Sequence, residues 1–446
     1  MAVLIALPFS ALADTNTQTT IAATAPAATT LAASTIPPLL QHVRDAKQML
    51  AGVNLNANIV PVYRTVRKKK VLSSYTVASK DAALAVWDPN ASKIAIITGT
   101  LKGKTFAFKD PNIDVDQIGF NGVNTRFHVN SPAGGIVLAL KYLISNPDSG
   151  SKAAVENGLQ QVVYVPYSPE LNTYDLAQAG DQYLNGILKT VTFQLGYEDS
   201  VSVPGENITE AIKPSIIKAL IYAEHMDTSS FVSTTDVQSL INQLNVSFAV
   251  NEGDTFKYSV SSGNARGIAQ FLPSTYLSLV NRHPNANLID DAVIGLSDHV
   301  NSIKAEYLLI DDYIAAVHAR IGDDFNPADI YDYGAASYNG GVARVAKAVE
   351  TFGDAWNIDN QARAALLQSQ INGENAAIKV LKGQISKTKL ASDRKPLQAQ
   401  LADETANLTD LKHQLSAIKS SGLHTETIMY LVKMHSLIQV FNSQQS

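Results

Sequence analysis

The sequence predicts an α+β protein: a mixed α/β domain followed by a mainly helical one. Three observations carry this. Between residues 38 and 200, the strand-like runs NIVPVYRTVRK, SSYTVAS, KIAIITGTL and KTFAFKD are punctuated by Gly, Asn and Asp. From about residue 205 the apolar positions switch to helical spacing. Over 361–420 they recur mostly every three, four or seven residues, as in a coiled-coil seam.

Within the first region, LLQHVRDAKQMLAGV (39–53) has helical spacing and stops near Gly52. GGIVLALKYLIS (134–145) reads as a buried helix, LQQVVYVPYS (159–168) as a strand, and DLAQAGDQYLNGILKTVTFQLG (175–196) as a helix. The run Arg67-Lys68-Lys69-Lys70 suits either contact with an anionic wall polymer or a solvated strand end, and the second reading is preferred. In the second region, NITEAIKPSIIKALIYAEHMD opens with Asn207 or Thr209 as cap, and 300–320 and 327–352 are further helices. The seam residues Ile371, Ile378, Leu381 and Ile385 are matched by Leu397, Leu401, Leu408, Leu411, Leu415 and Ile418. Ser392-Asp393-Arg394-Lys395-Pro396 interrupts them with turn chemistry, so an antiparallel helical hairpin is expected at 361–420 rather than a continuous rod.

Composition narrows the function classes. The chain has 446 residues, 46% of them hydrophobic and 17% charged, which suffices for packed cores. A net charge of −5 gives no basic excess, so neither nucleic acid nor anionic lipid is indicated. With no cysteine, disulfide scaffolds, thiolate zinc sites, thiol nucleophiles and a lipid anchor on an N-terminal Cys are all excluded. Residues 2–13, AVLIALPFSALA, end in an A-x-A cleavage pattern before Asp14, without the usual basic start. A signal peptide clipped at its start is expected, with a buried strand or helix as the alternative; it implies a periplasmic or secreted protein. Residues 14–37, rich in Thr, Ala, Pro and Ser, are expected as a flexible linker. No other apolar stretch reaches the length of a membrane span.

Four stretches carry chemistry. ALIYAEH (219–225) puts Glu224 at the end of an apolar helix, where desolvation raises a carboxyl pKa toward neutrality, as a general acid requires. ARGIAQFLPSTY (265–276), ASYNGG (336–341) and LHTETIMYLVK (423–433) follow. Each alone is weak, and any single Glu is more often a capping or ion-paired residue.

In this order the four stretches resemble the soluble lytic transglycosylase family, whose motifs run E-S, G-L-M-Q-x-x-P-x-T, A-Y-N-x-G and E-T-x-x-Y-V. The resemblance covers about residues 205–360 and 421–446. It implies a lysozyme-like helical domain, with the hairpin as an insertion, that cleaves the MurNAc–GlcNAc β-1,4 bond of peptidoglycan without water. Glu224 would be the single catalytic acid and base, and the product a 1,6-anhydro sugar. Gly267 would let the backbone approach the sugar, and Gln270 would supply a donor and an acceptor. Tyr338 and Asn339 would line the groove, and the Tyr430 hydroxyl would lie near Glu224.

The resemblance has departures. His225 stands where the family has serine, Ala269 where it has Met, and a long insertion including TTDVQSLINQLNVSF separates Glu224 from Gly267. Asp227 reads as a solvent-facing helix-end residue rather than a second catalytic carboxylate. No His pair has metal-binding spacing, and neither a phosphate loop nor a G-x-S-x-G elbow occurs, so neither metal nor cofactor is expected. Two rivals stand beside this expectation: a hydrolytic muramidase on the same fold, and a non-catalytic wall-binding protein whose hairpin recruits an envelope partner.

Overall fold

The computed structural model describes residues 36–444. The expected export signal (1–13) and most of the expected linker (14–37) lie outside the described residues. The first part holds α1 (Pro38–Ala51), β1 (Ala57–Val66), β2 (Lys69–Asp88), β3 (Lys93–Lys102), β4 (Thr105–Phe108), β5 (Asp114–Gly119), β6 (Arg126–Ser131), β7 (Ile136–Ser145), β8 (Ser149–Gly150), α2 (Lys152–Asn157) and β9 (Leu159–Tyr164). The second holds α3 (Tyr174–Leu195), α4 (Ile208–Ala211), α5 (Pro214–His225), α6 (Thr228–Ser233), α7 (Val237–Asn251), α8 (Pro273–Arg282), α9 (Ala292–Ser297) and α10 (His299–Ile321). It continues with α11 (Ile330–Gly340), α12 (Val342–Phe352), α13 (Asn360–Lys387), α14 (Ala391–Ser421) and α15 (Thr425–Ser443). An antiparallel sheet region thus precedes a mainly helical one, the α+β class read from the sequence.

The main sheet runs β4-β3-β2-β7-β9, and the twenty-residue β2 also pairs with β1 and β8. The segment read as a buried helix, 134–145, is instead the inner strand β7. Its two faces are both covered, which explains the error. Leu138, Ala139 and Leu143 join α1 in one core, while Val137, Leu140 and Tyr142 join Phe106, Phe127 and Val129 in another. A strand buried on both faces loses the polar alternation that marks it in sequence. Its one charge, Lys141, is spent on the end of α1, where Nζ donates to the carbonyls of Ala51 (3.0 Å) and Val53 (2.6 Å).

In the helical part, the single helix expected from Asn207 is two. Asn207 Oδ1 caps α4 by accepting from the amides of Thr209 and Glu210, and Pro214 then begins α5 afresh. α10 is buried on nearly all sides and forms the axis around which α3, α5, α8, α9, α11 and α12 pack.

The insertion after Glu224 folds mainly as α7, which packs along α3. Both helices serve two cores. Leu176 and Ala177 of α3, with Val246, Ala249 and Val250 of α7, enter the sheet-side core. Leu184, Leu188 and Val191 of α3, with Ile241 and Phe248 of α7, enter the helical core. From Pro38 onward the chain is accordingly one compact unit, and the boundary placed at 200 runs through shared packing.

The hairpin expected at 361–420 is present as α13 and α14, packed along each other, with Ile371, Ile378 and Leu408 buried and Leu401, Leu411 and Leu415 against them. The turn lies at 388–390, not at Ser392–Pro396, and Pro396 sits inside α14. As the sixth residue of α14 it forfeits the helical bond to the Ser392 carbonyl just past the first turn.

At the root, buried Arg363 donates to the carbonyls of Ala355, Trp356 and Ile358, Asn360 Nδ2 donates to Leu423 O (2.8 Å), and Arg344 donates to Gly422 O (2.8 Å). Entry and exit are therefore fixed to each other by groups that lie outside 364–419. Replacing 364–419 with a short Gly/Ser link is expected to leave a folded, slightly less stable protein, since Ile418 also packs on the main core. Circular dichroism and thermal unfolding check this; a chain that no longer melts cooperatively would make the hairpin part of the core.

Candidate active site

Glu224 is the penultimate residue of α5 and borders a cleft of about 1150 Å³. The helix turns that precede it are buried, from Ile216 through Ala223, so the backbone that carries the carboxyl is fixed by the helical core. Burial pushes its pKa from 4.5 up to about 7; the Tyr430 hydroxyl and the Lys433 ammonium pull it partly back, and Glu426 adds a small push upward. Burial thus favours the protonated carboxyl well above the pH at which an exposed glutamate ionises.

Three neighbours set that environment. His225 donates from Nε2 to Ile268 O (2.7 Å) and stacks on Phe256 with ring centroids 3.5 Å apart. Burial lowers its pKa to about 4, so the imidazole is neutral and its hydrogen bond ties the end of α5 to the 265–272 loop. Lys433 Nζ donates to Met226 O (2.5 Å) and to Ala223 O (3.4 Å), which satisfies carbonyls at the end of α5 and leaves a cation near Glu224. Tyr430 is buried, faces Glu224 and lies parallel to Tyr338 at 13°, with centroids 6.4 Å apart.

Behind them lies Glu306 of α10, which sequence reasoning missed. It is wholly buried, and neither carboxyl oxygen has a hydrogen-bond partner among the described residues. Burial, and secondarily the charge of Glu224, hold its pKa well above the ordinary carboxylate range, so it is kept neutral. The only sequence signal was a charge directly before the apolar run YLLI (307–310), and α10 carries other charges, so it did not stand out.

The other expected site residues divide. Gln270 lines the cleft in a left-handed backbone conformation (φ 49°), with Nε2 donating to Gly267 O (2.8 Å). Gly267 is required for a different reason from the one expected. Its φ is 72°, and a Cβ there would collide with the Leu296 carbonyl rather than crowd a ligand. The Tyr338 hydroxyl donates to Ala269 O, which pins the loop against α11 behind the cleft surface. Asn339 is exposed and accepts from Thr427 Oγ1 (2.8 Å); it joins α11 to α15 and does not line the cleft. Asp227 caps α6 by accepting from Ser230 N (2.8 Å) and Ser229 Oγ (2.6 Å), and these bonds lower its pKa to about 2.

The cleft also draws on residues that no motif marked. The 253–261 segment after α7 contributes Lys257, Tyr258 and Ser261, so it is the end of the insertion, not α7 itself, that forms a wall. Asp298 lies on the same cleft, with its carboxylate accepting from Asn301 N (2.8 Å) at the start of α10. The opposite wall comes from the sheet region. The arrangement can donate a proton from Glu224 near neutral pH to an extended ligand. Among known proteins, no family model, no curated sequence and no solved structure matches this chain.

Proposed function

We propose that the protein is a peptidoglycan lytic transglycosylase that cleaves the MurNAc–GlcNAc β-1,4 bond and leaves 1,6-anhydroMurNAc ends. The observation that carries this reading is Glu224: a carboxyl whose pKa is raised to about 7 at the edge of a large cleft, on the first of four motifs in the family's order. Protonated Glu224 donates to the bridging O4 as the C1–O4 bond breaks. The resulting carboxylate takes the proton of the MurNAc 6-hydroxyl as that oxygen bonds to C1. The acid is regenerated and no water is consumed. Tyr430 and Lys433 favour the carboxylate between the two steps, while burial favours the acid, so the pKa near 7 is a balance that serves both.

Under this reading the protein works in the periplasm or outside the cell on glycan strands, with the projecting hairpin available to an envelope partner. Among the described residues no helix is long and apolar enough to cross a membrane. A hydrolytic muramidase is the second reading. It is favoured by one observation, the Asp298 carboxylate on the same cleft, which a two-carboxylate mechanism needs to activate water.

Product analysis separates them. Digests of purified sacculi are expected to yield 1,6-anhydromuropeptides by mass spectrometry. Only borohydride-reducible ends would transfer the protein to the hydrolytic reading.

A further inference from the structure

The sheet region reaches the cleft with a set of side chains unlike the rest of its lining. Asn121 follows β5, Asn146 follows β7 and Gln160 lies in β9, so three separate segments converge on one wall. All three are exposed, and their carboxamides have no hydrogen-bond partner among the described residues. Ile144 of β7 and the largely buried Tyr142 line the same wall, and Tyr258 comes from the helical side. None of the lining residues from the sheet region is charged, whereas Glu224, Lys257, Arg266 and Asp298 all belong to the helical side.

We propose that this wall is a saccharide-binding surface for the stretch of an N-acetylated glycan strand beyond the two sugars that react, an assignment that rests on the glycan-cleaving reading above. Each carboxamide offers a donor and an acceptor in one plane, which matches an acetamido group or a pair of ring hydroxyls. The half-buried ring of Tyr258 beside such amides suits the apolar face of a sugar. A wall without charge selects a neutral ligand and holds nothing for a phosphate backbone or an acidic polymer. The cleft, about 1150 Å³, lies at the upper end of the roughly 300–1,000 Å³ range of ligand pockets and has room for more than one sugar. The sheet region thereby sets the preferred substrate length, and the helical region supplies the chemistry.

The test is the full chain carrying Asn121→Ala, Asn146→Ala and Gln160→Ala together, assayed on long uncrosslinked glycan strands and on a tetrasaccharide fragment. Substitutions at such exposed positions leave the fold nearly undisturbed. The expected result is a KM for long strands raised roughly tenfold, with kcat unchanged and with KM for the fragment unchanged. Equal KM values for variant and wild type on long strands, or an equal rise on both substrates, would overturn the assignment. Direct binding of long strands to Glu224→Gln protein, with and without the three substitutions, gives the same comparison without turnover. If the wild-type chain cleaves neither substrate and Glu224→Gln binds no strand, it is the functional reading that fails, and the wall goes with it.

Discussion

Glu224→Gln is expected to lower glycan cleavage by about 10³-fold or more, because general acid catalysis alone contributes roughly 10²–10⁴ and the same group then acts as base. The amide preserves shape and removes the proton. The stability of the variant should move the other way. A carboxyl whose pKa rises from 4.5 unfolded to about 7 folded makes the native state hold the extra proton, so its contribution to stability falls as pH rises from about 4.5 to about 7 and stays low above that. Glutamine has no such loss. The variant should therefore match wild type near pH 4 and be more stable at pH 8, by about 1–3 kcal/mol after allowance for the partial exposure of the carboxyl.

Under the proposed function, the same pKa places the alkaline limb of the wild-type activity profile at about 7, with a roughly tenfold loss per pH unit beyond it. Near-wild-type turnover by Glu224→Gln would remove it from the acid role. An inactive variant that is also less stable at pH 8 would mean that burial does not hold the acid form.

The parts of this protein legible in its sequence are those whose chemistry is local. The helix over 39–53 shows its apolar stripe and its stop at Gly52, and the strands β1, β3 and β4 are bounded by turn residues. The α13–α14 hairpin was legible because its seam repeats in one dimension. β7 was not, since its second face is covered by β5, β6 and Phe106, partners that a linear pattern cannot reveal.

The same division holds at the site. Glu224 and Gln270 lie within motifs and line the cleft. Glu306, the Lys433 bonds to the end of α5, and the sheet-side wall depend on which elements tertiary packing brings together. Asn339 and Gly267 lie in the expected motifs for reasons of packing rather than ligand contact.

The second large effect is expected at Gly180, far from any motif. It lies on α3 where α7 crosses, and a Cβ there would fall inside the Asn245 carbonyl, with the carbonyl carbon at 2.5 Å and the Cα at 2.9 Å. These are backbone atoms and cannot rotate aside. Alanine is the better helix former by about 1 kcal/mol, so propensity alone predicts that Gly180→Ala stabilises. Overpacking against a fixed backbone costs about 1–3 kcal/mol and more where the neighbour cannot yield, so here the clash wins. The two helices must separate, and each holds residues of both cores. The disturbance also has a route to the chemistry, because the Asn245 side chain accepts the hydroxyl of Tyr222, two residues before Glu224. Gly180→Ala should therefore lower the denaturation midpoint by an amount equivalent to about 2 kcal/mol or more and reduce cleavage with it. Gly186, on the same helix with nothing within 4 Å of its would-be Cβ, is the matched control: Gly186→Ala should gain up to about 1 kcal/mol. If both substitutions stabilise alike, α3 and α7 do not approach at Gly180 as closely as described, and the route from that contact through Asn245 to Tyr222 is lost.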